Sequence, residues 1–395
     1  MLQGARQVGK TTLAEQIAER VQAGFVTLDR EVDLQVALDD PGVLLEALGR
    51  PAVIDEVQRA GDRLVLAIKQ QLDRDRSPGQ YLLTGSSNFL TAPTITESLA
   101  GRVDLITLWP FAVGELVDGN DDFVDRAFAG PDRLLDHRGA TPSRAEYLEL
   151  LCRGGYPEAQ SMTDRARRRW FERYIETVLR REVETATDLR RFDALVRMAR
   201  LIAARTGSEL LMTRLAADLG IDRATAETYE PWIETTFLVH RLPAWSRKLI
   251  SKVVRRPKIH VCDTGLAAAV LGKDPVALSN PTEPATGPLI ESFALAEIAK
   301  QLTWADTSAR LHHLRESGGL EIDGLLETPD GRVVAIEVKA TTVPRPADAA
   351  PLAIVRDRLD RLGSDFTAGV VLHTGDRRIP LGDRLLGLPL ADLWT

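Results

Sequence analysis

Gly4-Ala5-Arg6-Gln7-Val8-Gly9-Lys10-Thr11-Thr12 fits the phosphate-binding loop GxxxxGK(S/T) at every specified position. The glycines let the backbone curl so that successive N–H groups point at phosphate oxygens. The expected nucleotide contacts are Gly4, Gln7, Val8, Gly9, Lys10, Thr11 and Thr12. Lys10 can reach the β- and γ-phosphates as a point charge, and the Thr11 hydroxyl can ligate Mg²⁺. Leu13 to Val21 is helix-forming, which sets the loop at a helix N-terminus, where the dipole favours anions. A buried strand feeds such a loop. Only Met1-Leu2-Gln3 precede it, so that first strand is expected to be clipped.

Downstream, short apolar strands alternate with helices, as in a parallel sheet buried on both faces. The strands are read at Gly24–Asp29, Pro51–Glu56, Gln80–Thr84 and Val103–Leu108, with a helix over Asp62–Arg74. The second strand turns abruptly acidic at Asp55-Glu56, the Walker-B pattern. Asp55 is expected to hold Mg²⁺ through its waters, and Glu56 to polarise the water that attacks the γ-phosphate of ATP. Ligands of such sheets collect at the carboxyl ends of the strands, where Ser86 and Asn88 also fall. These two are candidate γ-phosphate sensors or, alternatively, caps of the next helix. Arg102 is a candidate arginine finger for a neighbouring subunit, or else a surface ion pair.

The chain has 395 residues, enough for about two to four domains with cores of their own. No apolar run approaches the ~18–20 residues that span a bilayer, and no signal peptide is visible. Cys152 and Cys262 lack CxxC spacing, which predicts reduced thiols in a cytoplasm. A formal charge of −7 argues against coating nucleic acid indiscriminately, while leaving room for local basic patches.

Read in order, GARQVGKTT, AVIDEVQ, YLLTGSSNF and ESLAGR resemble a large prokaryotic family of AAA-type ATPases with a C-terminal region resembling restriction endonucleases. The resemblance continues through Gly154–Glu158, Ala244–Arg247, Asp263–Leu266 and Ile336–Lys339, and so covers nearly the whole chain. It implies an α/β protein with an N-terminal P-loop NTPase parallel sheet, a helical and winged-helix middle, and a C-terminal α/β restriction-endonuclease-like domain. The expected boundaries are 1–115 for the ATPase domain, 116–190 for a helical region, 191–285 for a winged-helix-like domain and 286–395 for the nuclease-like domain. Family members begin some tens of residues earlier, so this chain is expected to be clipped at its start.

In the middle, Asp164 to Thr187 is a charged amphipathic helix carrying Arg165, Arg167, Arg168 and Arg169, read chiefly as a solvated face. A helix over Glu209–Leu219, a turn at Gly220-Ile221-Asp222 and a helix over Arg223–Leu238 make a helix-turn-helix phrase. Asp222 is the expected N-cap. Trp245 to Lys258 follows with six basic residues and no acidic one, and is read as the strand pair of a wing able to grip a DNA backbone. Glu227, Glu230 and Glu234 on the second helix oppose that role.

Near the C-terminus, the apolar helix Leu289–Leu302 carries Glu291, a carboxylate that needs a partner or a metal. Strands follow at Leu320–Glu327 and Arg332–Lys339, joined by Thr328-Pro329-Asp330-Gly331 as a three-residue hairpin loop. Counting outward from Thr328 opposite Arg332 sets Asp323 opposite Glu337, on the face of Lys339. This matches the D…ExK signature of the nuclease-like fold. Glu291, Asp323 and Glu337 are then candidate ligands of a second Mg²⁺ or Mn²⁺, with Glu321 in reserve and Lys339 to orient water or stabilise charge. Cross-strand ion pairing is the plainer alternative. His312 and His313 are read as surface residues, and Gly369–His373 and Leu386–Trp394 as a closing strand and helix.

The expected protein is a cytoplasmic Mg²⁺-dependent ATPase acting as a motor or switch on DNA. The alternatives are an ATP-gated metal-dependent nuclease and a regulator that binds DNA or protein without turnover. Arg102 implies a homo-oligomer, and no membrane partner is expected.

Overall fold

The computed structural model describes residues 1–85, 99, 101–136, 139, 141–182, 189–246 and 256–395. The chain divides into two compact units. The first is Met1–Pro110 with Thr235–Phe237, and the second is Phe111–Glu234 with Leu238–Thr395.

In the first unit, β2 (Gly24–Thr27), β3 (Ala52–Asp55) and β4 (Tyr81–Leu83) pair in parallel. β1 (Leu2–Gly4) pairs in parallel with β5 (Ile106–Leu108), and a single bridge from Leu2 to Thr84 joins the two sets. The resulting order is β2-β3-β4-β1-β5, so β4 lies between the acidic strand and the strand that feeds the loop. All four residues of β3 are buried, as expected of a central parallel strand. Among the described residues four helices pack on this sheet: α1 (Lys10–Val21), α2 (Glu31–Asp39), α3 (Pro41–Leu48) and α4 (Gly61–Arg74). Leu64, Val65 and Ile68 recur at helical spacing on α4 and join Leu28, Leu45 and Ile54 in one core. β1 has three residues, short as expected, yet it is paired along its length.

The second unit opens with helices, among them α5 (Arg144–Arg153), α6 (Asp164–Glu182) and α7 (Leu189–Ala204). Ser143 and Glu146 form a reciprocal capping box at the start of α5. Next come β6 (Ser208–Glu209), α8 (Met212–Leu219), α9 (Arg223–Thr235), β7 (Val239–Leu242) and β8 (Lys258–Val261), the strands forming an antiparallel sheet of order β6-β8-β7. The turn is as predicted. Gly220 ends α8 at φ 66°, and the Asp222 carboxylate accepts the Thr225 N–H at 2.8 Å. One expectation is corrected. The first helix begins at Met212, because Glu209 is drawn into a strand opposite Lys258. β7 and β8 pair antiparallel on either side of Trp245–Lys258 in the chain, and the strand pair expected within that segment falls mostly on residues 247–255. Residues 247–255 lie outside the described residues.

α10 (Thr264–Val270) and the buried α11 (Thr286–Gln301) lead into a six-stranded sheet of order β13-β14-β12-β11-β10-β9. Its strands are β9 (Arg310–Arg315), β10 (Glu321–Glu327), β11 (Val333–Lys339), β12 (Phe366–His373), β13 (Ile379–Gly382) and β14 (Leu385–Pro389), with α12 (Ala350–Arg361) between β11 and β12. The β10–β11 loop closes as read from sequence. The Thr328 N–H donates to the Arg332 carbonyl, and Gly331 sits at φ 91°, where a Cβ is strained. The ladder runs from Glu327 opposite Val333 to Gly324 opposite Ile336. His313 is buried rather than superficial, because Pro243 and Ala244 pair alongside it and its Nε2 faces the Arg256 carbonyl at 2.9 Å. The last expected helix is also corrected: β14 and a single 3₁₀ turn over Leu390–Leu393 stand there.

Candidate functional site

Two backbone features shape the loop after β1. A Cβ on Gly4 would meet the Leu108 carbonyl oxygen at 2.1 Å, so only glycine lets β1 lie this close to β5. Gln7 and Gly9 have φ of 62° and 96°, and Gly9 is the residue from which α1 starts. Lys10 is buried, and its ammonium is held by the carbonyls of Gly4 (3.0 Å) and Ala5 (2.8 Å). The Thr11 hydroxyl lies 3.1 Å from the Asp55 carboxylate, which unites two residues 44 positions apart in the chain.

Asp55 is almost wholly enclosed, at 1% exposure. Besides Thr11 it accepts from the hydroxyls of Thr27 (2.9 Å) and Thr84. Thr84 also accepts the Glu56 N–H at 3.2 Å, so one side chain fixes both acids. Glu56 has φ 57°, a left-handed conformation that few non-glycine residues adopt, and its carboxylate accepts from the Gln58 amide. A Mg²⁺–nucleotide fits this donor set, with a buried ammonium, a hydroxyl beside a fixed carboxylate and a second acid adjacent. Thr27 and Thr84 were missed in the sequence reading. Their signal is register: Thr27 pairs level with Asp55 across a parallel sheet, and Thr84 follows β4 on the other side.

Ser86 and Asn88 lie outside the described residues. Arg102 donates twice to one oxygen of Asp73 on α4, from Nη2 at 2.6 Å and from Nε at 3.1 Å to Oδ1. It borders a cavity of about 710 Å³ with Met1, Leu72 and Tyr81, and no residue of the Gly4–Thr12 loop lines that cavity.

A second cluster occupies the other unit. Glu291 on α11, Glu321 and Asp323 on β10, and Glu337 and Lys339 on β11 converge as the hairpin count predicts. At their centre, however, stands Lys258 of β8, 3% exposed, with its ammonium 2.9 Å from Glu291, 3.0 Å from Glu321 and 3.4 Å from Asp323. The other Asp323 oxygen accepts the Val338 N–H at 3.0 Å, and Lys339 holds Glu337 at 2.6 Å. Burial and the Asp323 charge push Glu291 well above the usual carboxylate range, against the pull of Lys258. The same two causes push Glu337 up to about 7. Burial would lower Lys258, but the facing carboxylates of Glu291, Asp323 and Glu321 outweigh it and hold the ammonium charged.

The expected metal position is occupied by the Lys258 ammonium. Among the described residues no group of three or more His, Cys, Asp or Glu is placed to hold a metal ion. The three acids on β10 and α11 each turn one oxygen to an ammonium that stands between them, so a divalent ion does not fit the donor set as it stands. Lys258 had been counted among the basic residues of a DNA-gripping wing. The signal against that reading was its context, because Lys258-Ile259-His260-Val261 is buried at every position.

Three family descriptions match successive parts of the chain: "AAA domain" over residues 1–117, "Domain of unknown function (DUF8612)" over 144–277 and "Domain of unknown function (DUF4143)" over 286–393. Uncharacterized proteins of Mycobacterium tuberculosis and Mycobacterium bovis are each 28% identical over all of this chain and 80% of their own length. Among solved structures, a protein of Vibrio cholerae aligns with 99% of this chain and 94% of its own at 11% identity, with a TM-score of 0.19, too low to carry an argument. Among the described residues no helix is long and apolar enough to cross a membrane. Residues 1–117 thus resemble an AAA domain, and residues 286–393 match a domain of unknown function.

Proposed function

We propose that the protein is a Mg²⁺-dependent ATPase working as a switch in the cytoplasm, with its second unit as the part that holds a target. One observation carries the reading: the Thr11 hydroxyl and the Asp55 carboxylate meet at 3.1 Å, directly after the buried Lys10. In this reading the backbone from Gly4 to Thr12, including Gln7, Val8 and Gly9, receives the phosphates, and Lys10 neutralises their charge. Thr11 and Asp55 hold Mg²⁺, which when bound neutralises charge on the β- and γ-phosphates. Glu56 orients and polarises the attacking water. Ser86 and Asn88 report the γ-phosphate. Arg102 serves a neighbouring subunit of a homo-oligomer only after leaving Asp73.

For the target we propose DNA, held by α8 and α9 as a winged helix together with the basic segment before β8. Arg256, with its side chain 61% exposed, is the described member of that segment beside β8. The restriction-endonuclease-like reading of the C-terminal domain rests on the convergence of Asp323, Glu337 and Lys339. Between the two alternatives, the regulator that binds without cutting is favoured over the nuclease, because Lys258 stands where the divalent ion would be required. Substituting Lys10→Ala and following Mg²⁺-dependent phosphate release tests the ATPase assignment.

A further inference from the structure

We propose that Lys258 is the resident cation of the C-terminal carboxylate cluster, clamping β8 to α11 and β10 and excluding a divalent metal from the seat between them. Three features support this. First, the lysine is anchored. Lys258 pairs with Glu209 on one side and Leu242 on the other, so its strand is held along both edges of β8. Its ammonium cannot be displaced without dragging a central strand or refolding a buried side chain. Second, the stoichiometry closes. An ammonium has three N–H donors and no acceptor, and three carboxylates meet it, one each from Glu291, Glu321 and Asp323. These distances suit N–H···O contacts and are well beyond the ~2.0–2.1 Å that Mg²⁺ demands of its oxygens.

Third, the acids are organised around the ammonium. Asp323 commits its other oxygen to the Val338 N–H, and Glu337 commits one to Lys339. Glu291 and Glu321 each meet Lys258 through Oε1, and Glu337 Oε2 is buried without a hydrogen-bond partner among the described residues. The oxygens left over flank a positive charge, which is a poor start for octahedral coordination of a divalent ion. The acids are nonetheless arranged as a cation seat. Removing the lysine would leave buried like charges that a divalent ion could neutralise.

The test is a Mn²⁺ titration of the full-length, nucleotide-free chain, with free Mn²⁺ read by electron paramagnetic resonance. Wild type and Asp323→Asn are expected to retain Mn²⁺ identically, because neither has an open seat. Lys258→Met is expected to gain about one Mn²⁺ per chain, which the Lys258→Met, Asp323→Asn double variant loses. The melting temperature of Lys258→Met alone should fall below wild type and recover in part with Mn²⁺. Wild-type chain that retains a Mn²⁺ lost in Asp323→Asn overturns the proposal. A folded Lys258→Met that takes up none overturns the assignment of the three acids as a cation seat. If Lys258→Met does not fold, the comparison of wild type with Asp323→Asn decides alone.

Discussion

Thr84 donates its hydroxyl to Asp55 and receives the Glu56 N–H, so it positions both members of the acidic pair without being placed to touch nucleotide. Thr84→Val keeps the shape and removes both hydrogen bonds. Turnover number is expected to fall by about 10–100-fold, as for the loss of other outer partners of a metal ligand, while nucleotide affinity stays near wild type. Thr84→Ser should restore most of it. A merely structural role would lower stability and leave the turnover of the folded fraction intact, which steady-state kinetics beside a thermal melt separates. The acidic pair itself was legible because two carboxylates abruptly end an apolar strand. Its threonine supports were not, since they depend on which strands become neighbours. Lys258 shows the same limit: Glu291 was recognised as needing a partner, but that partner lies 33 residues upstream, on a strand of another sheet.

At the scale of elements, local chemistry was the better guide. The β10–β11 hairpin was readable to the residue because Pro329 and Gly331 fix the turn, and a turn fixes register. Glu209 was misread as helical because a two-residue strand has no periodicity of its own. The segment between β5 and α5 carries another long-range effect, at Asp121. Burial, then the charges of Glu297 and Glu115, push its carboxyl up to about 7, and its Oδ1 is buried without a hydrogen-bond partner among the described residues. A carboxyl raised above its unfolded value of 3.8 stabilises the fold in its protonated form. That contribution is complete below the unfolded value and is lost as pH rises through about 7. Asp121→Asn should therefore melt higher than wild type at pH 8, with a clearly smaller advantage at pH 5 that vanishes below the unfolded value. Parallel melting curves at both pH values check it, and an equal offset at the two would refute the assignment.

For the whole molecule, a charge of −7 means that any DNA contact must be local. The expected footprint is the basic segment ending at Arg256, against the acids of α9, two of which, Glu230 and Glu234, are already tied to Arg241. Replacing Arg255 and Arg256 by Ala should weaken DNA binding uniformly across sequences and reduce the slope of log affinity against log salt by about two. An unchanged slope would leave the segment a packing role. The proposed division of labour between an ATP site and a holding unit rests finally on turnover at the loop. The most direct measurement is phosphate release from ATP by the full chain, with and without Mg²⁺, for wild type and Lys10→Ala. The account predicts Mg²⁺-dependent release by wild type and its loss in a folded Lys10→Ala chain. Release that persists unchanged in Lys10→Ala would contradict it.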